Sequence, residues 1–280
     1  MNGYANLRHV YVRPPDEESL ASWEAFGWHH PPDPGSIERE HRALRDRLAE
    51  AGAEVVTGAT RVPGDPDAIY AYDPVLVIDG GAIVLRPGKE GRRSEPEAVA
   101  RDLEALGVPV LAALEAPATA EGGDLVFLDD ATLLVGVGYR TNTAGVEQLA
   151  SLVEPRGITV HRFDLPFHRG PDACLHLMSF LSPLDANLVV AYLPMMPVRL
   201  AQLLEHRGIR TVEVPDEEFL TMGPNVLALG PRIALALDGN PQTRRRLEAA
   251  GVDVRGYQGE QVSLNGDGGP TCLTRPLARG

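Results

Sequence analysis

The sequence predicts an α/β protein in which five copies of one hairpin–helix–strand module close into a ring. The first observation behind this fold class is a repeat of five segments, each of which ends a helical pattern with a glycine and then enters a β-branched run. Glycine takes the left-handed conformation that ends a helix, and β-branched residues favour the strand that follows. The five glycines are Gly52, Gly107, Gly157, Gly208 and Gly251.

The second observation is that pairs of short apolar runs lie between these units, with Asp, Gly or Pro between the two runs of a pair. Such pairs are typical of β-hairpins. The predicted pairs are 75–78 with 83–85, 125–128 with 133–137, 177–181 with 187–193, and 226–229 with 233–237. A fifth pair would join residues 271–277 to 8–12, and a helix over 36–51 would follow it. Residues 1–280 are therefore predicted to form one domain whose fifth module is split between the C-terminus and the N-terminus.

Composition excludes several classes of function. The chain has 280 residues, 44% of them hydrophobic, and a formal net charge of −13. A nucleic-acid or anionic membrane partner needs a basic surface, so we expect neither. No apolar run approaches the ~18 residues that span a bilayer, and the start of the chain does not look like a signal peptide, so we expect a cytoplasmic protein. The two cysteines form neither a disulfide framework nor a CxxC zinc pattern.

Residues with catalytic chemistry occupy about the same place in each module, close to the first strand of its hairpin. In a ring, equivalent positions face a common axis, so we expect these side chains to meet in one central pocket. A thiol, an imidazole and carboxylates are the parts of an activated nucleophile. The residues are Asp73, Glu121, Asp124, His176, Asn225 and Cys272.

Each of these residues also has a structural interpretation when it is taken alone. Cys272 could be incidental, His176 a core histidine, and the Glu-Gly-Gly-Asp segment a simple turn. Their shared position in the repeat favours a catalytic site. Cys174 falls at no equivalent position and has apolar neighbours, so it is predicted to be a core residue. The adjacent histidines at 29 and 30 lack acids or cysteines at ligand spacing, so no metal site is predicted.

Five motifs in a fixed order carry a resemblance that covers nearly the whole chain. They are Arg86-Pro87-Gly88 with Arg92-Arg93, Glu121-Gly122-Gly123-Asp124, Arg140-Thr141-Asn142, Leu175-His176-Leu177 and Gly268-Gly269-Pro270-Thr271-Cys272. With these motifs the sequence resembles the guanidino-group-modifying enzymes, which include arginine deiminase, the amidinotransferases and dimethylarginine dimethylaminohydrolase. The resemblance implies a pentein fold, a five-fold pseudosymmetric α/β propeller, and this agrees with the repeat count.

The resemblance implies a cysteine-dependent hydrolase of a substituted guanidine that needs no metal or organic cofactor. Cys272 would be the nucleophile, His176 the general acid and base, and Glu121 the carboxylate that orients His176. Attack on the guanidinium carbon would give a covalent thiouronium, from which water would release a citrulline-type product. The alternatives are an amidinotransferase, which would pass the amidino group to an amine, and a non-catalytic binding protein of the same fold.

The resemblance also implies how a small guanidino substrate would be bound. Asp73 would pair with the guanidinium, and Asp67 would lie near the amino-acid end of the substrate. Arg92 and Arg140 match arginines that hold the α-carboxylate. Ordinary surface charge is the alternative interpretation of both arginines.

Departures from the pattern of the family bear on the substrate. Met178 stands where arginine deiminases and amidinotransferases carry an acid, which makes the pattern closest to dimethylarginine dimethylaminohydrolase and predicts a preference for N-alkylated guanidines over arginine. Tyr72 replaces the Glu that is typical of those hydrolases. The loop that holds Trp23 and Trp28 is open to three interpretations, namely an aromatic lid, a hydrophobic plug or a homodimer patch.

Overall fold

The computed structural model describes residues 2–280 and arranges them in five three-stranded sheets. Each sheet pairs an antiparallel hairpin with a third strand that runs parallel to its middle strand. The sheets are β15 (Arg275–Arg279), β1 (Leu7–Val12) and β2 (Glu54–Thr57); β3 (Val75–Ile78), β4 (Gly81–Val84) and β5 (Val110–Ala113); β6 (Leu125–Asp129), β7 (Thr132–Val137) and β8 (Thr159–Asp164); β9 (Leu181–Asp185), β10 (Leu188–Ala191) and β11 (Arg210–Glu213); and β12 (Leu227–Gly230), β13 (Ile233–Leu237) and β14 (Asp253–Tyr257).

A helix connects the middle strand of each sheet to its third strand, so the predicted hairpin–helix–strand module is confirmed. These helices are α2 (Pro34–Glu50), α3 (Glu95–Ala105), α4 (Thr143–Val153), α5 (Val198–His206) and α6 (Pro241–Ala249), and a short helix α1 (Glu17–Leu20) precedes them. The five repeat glycines after the helices all have φ between +67° and +89°. None of the helices within residues 2–280 is long and apolar enough to cross a membrane.

The first strands of neighbouring modules contact one another and so bring their preceding loops together. β6 packs against β9, β9 against β12, and β15 against β3. These strands are almost entirely buried, and their side chains belong to the large apolar clusters of the molecule. The loop ends that carry the candidate residues therefore meet at one place, as the repeat predicts.

The predicted strand over 177–181 is wrong in its first part. Leu177–Ser179 forms a 3₁₀ turn, and β9 begins only at Leu181. The backbone N–H of His176 donates to Ser179 Oγ at 2.9 Å, and the buried carboxylate of Asp124 accepts the N–H of Leu177 at 3.0 Å. These two bonds satisfy backbone groups that a strand would otherwise pair, so His176 lies on a turn.

The predicted strand over 271–277 is also wrong at its start. Residues 271–273 form a turn in which the Leu273 N–H donates to the carbonyl of Gly269 at 3.2 Å, and β15 begins at Arg275. Cys272 therefore lies on a turn as well. The direction of its side chain is not set by the alternation of successive side chains between the two faces of a sheet.

The stability of α2 is expected to depend on pH through one buried histidine. α2 turns Ile37, His41, Leu44 and Leu48 toward the interior. Burial, with a smaller contribution from Arg45, lowers the pKa of His41 to about 4. An unfolded histidine titrates near 6.5, so the unfolded state binds more protons between these values and stability falls as the pH decreases through that window. His41 alone should remove roughly 2 kcal/mol from the free energy of unfolding between pH 7 and pH 5.

His41→Met tests this expectation because methionine has a similar volume and does not titrate. Urea unfolding at pH 7 and pH 5 should show a smaller acid loss in His41→Met than in the wild type. The exposed residue at the end of α5 provides a control, since His206→Gln should lose as much stability as the wild type. Equal acid losses in wild type and His41→Met would contradict the prediction.

Candidate active site

The structure brings most of the predicted site residues to two adjoining cavities that share Cys174, His176, Asp267 and Cys272. We call the first the Lys89 cavity; it is lined further by Phe26, Asp67, Asp73, Lys89, Arg92 and Arg140. We call the second the Met178 cavity; it is lined further by His168, Met178, Phe219, Leu220 and Asn225. Glu121 lines neither cavity and lies behind the ring of His176.

Glu121 fixes one nitrogen of the His176 ring. Its carboxylate is fully buried, and Oε2 lies 2.8 Å from His176 Nε2. Arg140 Nη1 donates to the same oxygen at 3.1 Å, and the backbone N–H of Lys89 donates to Oε1 at 3.0 Å. Burial alone would raise the pKa of Glu121, but the hydrogen bond from His176 and the charge of Arg140 hold that pKa well below its usual range. Glu121 is therefore ionised. Because it binds Nε2 of His176, it leaves Nδ1 available on the cavity side.

The surroundings of His176 favour its protonated form. Burial lowers the pKa of His176, but Cys174, Asp73 and Asp124 together raise it well above the usual value. The ring fits here because residue 123 is a glycine, since a Cβ at Gly123 would lie 2.4 Å from His176 Nδ1. An imidazolium whose second nitrogen is held by a carboxylate is suited to donate a proton.

Cys272 is half-buried in the wall of both cavities. Asn225 Nδ2 donates to Cys272 Sγ at 3.3 Å, and Asn225 Oδ1 accepts the N–H of Thr271 at 3.2 Å. Burial raises the pKa of the Cys272 thiol to about 12, the charge of Asp73 adds to this, and His176 opposes it. The resting sulfur is therefore a protonated thiol at neutral pH.

The prediction that Cys174 is a core residue is wrong. Cys174 is half-buried, lines both cavities, and places its Sγ 3.6 Å from His176 Nδ1. The prediction relied on the apolar sequence neighbours of Cys174, which are typical of a buried strand. The segment before the 3₁₀ turn, however, lines the cavity and does not enter a sheet. The chain thus presents both of its cysteines to the same site.

Asp73 and Arg92 form a buried ion pair. Arg92 Nη1 donates to Asp73 Oδ2 at 2.6 Å, while Gly123 N–H donates to Oδ1 at 2.8 Å. Four hydrogen bonds in all engage the Arg92 guanidinium, with partners on Asp73, Glu95 and the carbonyl of Tyr70. Arg92 is thereby committed to holding Asp73 in place.

Surface charge is the wrong interpretation of both arginines. Arg92 is 3% and Arg140 7% exposed, and both line the Lys89 cavity. Arg140 reaches Glu121 through Nη1 alone. Of the two, Arg140 retains more donors for a ligand in the cavity.

Asp67 is buried in the wall of the Lys89 cavity, and both of its oxygens have partners. Trp28 Nε1 donates to Oδ1 at 2.8 Å, and Lys89 Nζ donates to Oδ2 at 2.6 Å. Trp28 is 4% exposed and packs against Tyr70 at 6.3 Å between ring centroids. For Trp28, the plug interpretation of the loop is therefore the one that agrees with the structure.

Met178 and Tyr72, the two departures from the family pattern, both lie next to Cys272. Met178 is buried and lines the Met178 cavity beside His176 and Cys272. The Arg275 guanidinium lies 3.5 Å from the centroid of the Tyr72 ring, and the Tyr72 N–H donates to the carbonyl of Cys272 at 3.1 Å. Tyr72 therefore supports the turn that carries the thiol.

One trio within residues 2–280 has the geometry to hold a metal ion. The ligand atoms of Asp73, Glu121 and His176 lie within 4.8 Å of one another. The arginines at 92 and 140 already pair with the two carboxylates, and Glu121 also holds the histidine. The two carboxylates of this trio thus already have cationic partners within the protein.

Three residues of the site were not assigned a role by the sequence. Asn225 had a usable signal, since it occupies the repeat position equivalent to Asp73 and Cys272. Cys174 and Lys89 had none, because the direction of a loop side chain depends on contacts with distant segments. Asp124 supports the site indirectly, through the turn after His176.

The five-module ring, with a half-buried cysteine, a buried histidine and two buried carboxylates at its centre, defines the class of guanidino-modifying pentein enzymes. A family model described as N,N dimethylarginine dimethylhydrolase, eukaryotic, matches residues 36–277. The N(G),N(G)-dimethylarginine dimethylaminohydrolase of Streptomyces coelicolor is 34% identical over 214 residues, covering 75% of this chain and 74% of that protein. The chain therefore belongs to the dimethylarginine dimethylaminohydrolase family and is a hydrolase of guanidine C–N bonds.

Two further similarities extend over almost the full length. The enzyme of the same name from Pseudomonas aeruginosa is 26% identical over 271 residues, covering 96% of this chain and 98% of that protein. A solved structure of a cysteine-to-serine mutant of dimethylarginine dimethylaminohydrolase from that organism, complexed with citrulline, superposes with a TM-score of 0.78 at 24% identity and covers 96% of this chain and 98% of that one. The predicted pentein fold is thus confirmed.

Proposed function

We propose that this protein hydrolyses N-methylated arginine or a closely related N-alkylated guanidine, with Cys272 as the nucleophile. The observation that carries the proposal is the placement of Cys272 and His176 on one cavity, with the Glu121 carboxylate 2.8 Å behind the ring. The names of the relatives and the citrulline in the related structure support this substrate class.

In the proposed mechanism, Asp73 pairs with the substrate guanidinium. A carboxylate offers about four acceptor sites, so Asp73 can bind the substrate while it keeps Arg92 and Gly123. The positive charge of the substrate beside the sulfur lowers the pKa of the Cys272 thiol, so the thiol releases its proton to solvent and becomes a thiolate while His176 stays protonated. A planar guanidinium is a poor electrophile until it is held in this way against a nucleophile.

The chemistry then proceeds in two steps. The thiolate of Cys272 attacks the central guanidinium carbon, His176 donates its proton to the departing nitrogen, and the C–N bond breaks to release an alkylamine and leave a covalent thiouronium. His176, now neutral, takes a proton from water, and the hydroxide adds to the same carbon. The C–S bond breaks, which returns the thiolate and releases a citrulline-type product.

The side chain of Met178 predicts the order of substrates. Methionine is apolar and adaptable, so it tolerates methyl groups on the guanidinium, whereas it offers no partner to free N–H groups. We expect kcat/KM for asymmetric dimethylarginine and monomethylarginine to exceed that for arginine, by roughly tenfold or more. Mass spectrometry of citrulline and of the released amine measures all three side by side.

The same assay tests the proposed reaction. If arginine is the best of the three substrates, the role given to Met178 is wrong. If product forms only when an amine acceptor is added, the protein transfers the amidino group and the hydrolase proposal falls.

The raised pKa of Cys272 gives a second measurement. Below its pKa a thiol gains thiolate about tenfold for each pH unit. Because the pKa is raised to about 12, inactivation of the free protein by iodoacetamide should accelerate about tenfold per unit from pH 7 to pH 9, without a plateau. Peptide mass spectrometry assigns the label to Cys272 or Cys174. A plateau in the labelling rate of Cys272 below pH 8 would contradict the protonated resting thiol.

A further inference from the structure

The first strands of the five hairpins, β3, β6, β9, β12 and β15, surround a cavity of about 40 Å³. Because every module contributes to its wall, the cavity lies on the axis of the ring. Tyr72 and Met178 line it as well, and Met178 also lines the Met178 cavity. We call this space the axial cavity. It adjoins the candidate active site and has a different lining.

Two arginines of β15 bring positive charge to the axial cavity. Arg275 is 3% exposed, and Arg279 is half-buried. Within residues 2–280 their hydrogen bonds all go to backbone carbonyls. Arg275 donates to the carbonyl of Tyr72. Arg279 Nη1 donates to the carbonyls of Ala5 at 2.7 Å and Ala228 at 2.9 Å. No Asp or Glu in that part of the chain lines the cavity, so the lining has an excess of positive charge.

Burial makes these two neighbouring cations costly. It lowers the pKa of both guanidinium groups, that of Arg279 to about 10, and the charge of Arg275 contributes to the latter shift. Both groups are still cationic at neutral pH. The Tyr72 ring, 3.5 Å from the Arg275 guanidinium, stabilises this charge without neutralising it. Asp73 also acts on Arg275 but forms its ion pair with Arg92. A buried charge of this kind favours a counter-ion in the cavity.

Two buried polar groups on the axial cavity have no hydrogen-bond partner within residues 2–280. They are Nε of Arg275 and Oγ1 of Thr271, a residue that is 2% exposed. Buried donors normally have an acceptor, and a donor on a cation binds an anionic acceptor most strongly. One water needs ~10–15 Å³ of such space, so the cavity has the size for a halide or nitrate ion.

We propose that the axial cavity binds one small monovalent anion, of the size of chloride or nitrate, through Arg275, Arg279 and the Thr271 hydroxyl. Thr271 directly precedes Cys272 in the chain. Arg275 stacks on Tyr72, whose N–H donates to the carbonyl of Cys272 at 3.1 Å. The anion therefore stabilises the turn that carries the thiol. This site is distinct from the substrate site, and the inference does not depend on the proposed function.

Thermal unfolding of the intact protein at constant ionic strength tests the inference. Sodium gluconate, whose anion is too large for the cavity, is replaced stepwise by sodium chloride or sodium nitrate. A ligand that binds only the folded state stabilises it in proportion to ln(1 + [L]/Kd). The wild-type Tm should therefore rise with the logarithm of the chloride concentration, by about 5 °C when that concentration is roughly 100 times Kd.

Thr271→Val removes the hydroxyl and keeps the shape of the side chain. Because Oγ1 has no partner within residues 2–280, this variant should unfold at or above the wild-type Tm in gluconate. A roughly tenfold weaker Kd should reduce its Tm rise in chloride to about half. Thr243→Val is the matched control, since Thr243 Oγ1 is equally buried and unpartnered in that range but lies outside the axial cavity. It should keep the full response to chloride.

Two results would overturn the proposal. Equal wild-type Tm values in gluconate, chloride and nitrate would show no preference for a small anion. A chloride response in Thr271→Val equal to that of the wild type would place the anion elsewhere. The wild-type comparison needs no variant, so the test stands even if Thr271→Val does not fold. It also uses no substrate, so its failure and the failure of the proposed function are separate results.

Discussion

Cys272→Ser is expected to abolish turnover, with kcat falling roughly 10³-fold or more, while the fold is retained. A serine hydroxyl has a pKa far above neutrality, and the site that raises the pKa of the Cys272 thiol to about 12 would disfavour an alkoxide even more strongly. Serine is close to cysteine in size and can keep the hydrogen bond from Asn225. Release of dimethylamine under saturating substrate measures kcat.

The second cysteine of the chain provides a matched control. Cys174 also lines both cavities, and its sulfur is the one within 3.6 Å of His176 Nδ1. Cys174→Ser removes the same atom from the same site, yet it should retain far more activity than Cys272→Ser. Activity near wild type in Cys272→Ser together with loss in Cys174→Ser would show that the nucleophile is Cys174.

Glu121→Gln is expected to lower kcat by roughly 10²- to 10⁴-fold. The N–H of Lys89 requires an oxygen at the Oε1 position, so the amide NH₂ of glutamine would face His176 Nε2 and Arg140 Nη1. A nitrogen that faces an NH₂ group must be an acceptor, so Nε2 loses its proton and the ring is neutral. The proton that remains on Nδ1 then belongs to a neutral imidazole, which is a far weaker acid toward the leaving amine than an imidazolium. The substitution also removes the negative charge that pairs with the buried guanidinium of Arg140.

The pH profile distinguishes this effect from a structural one. The carboxylate favours the imidazolium, so the alkaline limb of kcat should move to lower pH in Glu121→Gln. Glu90→Gln is the control. Glu90 is exposed, so this substitution removes one negative charge from the neighbouring loop without changing a residue of the site. An unchanged alkaline limb, or a loss of activity matched by a loss of folded protein, would mean that Glu121 serves the fold and not the histidine.

The sequence predicts the secondary structure of the ring well because each module carries local signals. The glycines after the helices and the apolar hairpin runs act within a few residues; Gly52, for example, follows α2 with a φ of +89°. The predictions fail at residues 177–180 and 271–274, where hydrogen bonds to Asp124 and Gly269 replace strand pairing. Apolar composition there is compatible with a strand or a turn, and only distant contacts decide between them.

The sequence by itself determined the five-module α/β fold and several of the residues that meet at its centre, because a repeat fixes equivalent positions without any knowledge of contacts. The tertiary structure decided how those residues pair. It placed Arg92 on Asp73 and Glu95, Lys89 on Asp67, and Cys174 beside His176. The pairings of Arg92 with Asp73 and of Lys89 with Asp67 join different loops of the chain, and the direction of a charged loop side chain depends on which opposite charge the fold brings within reach.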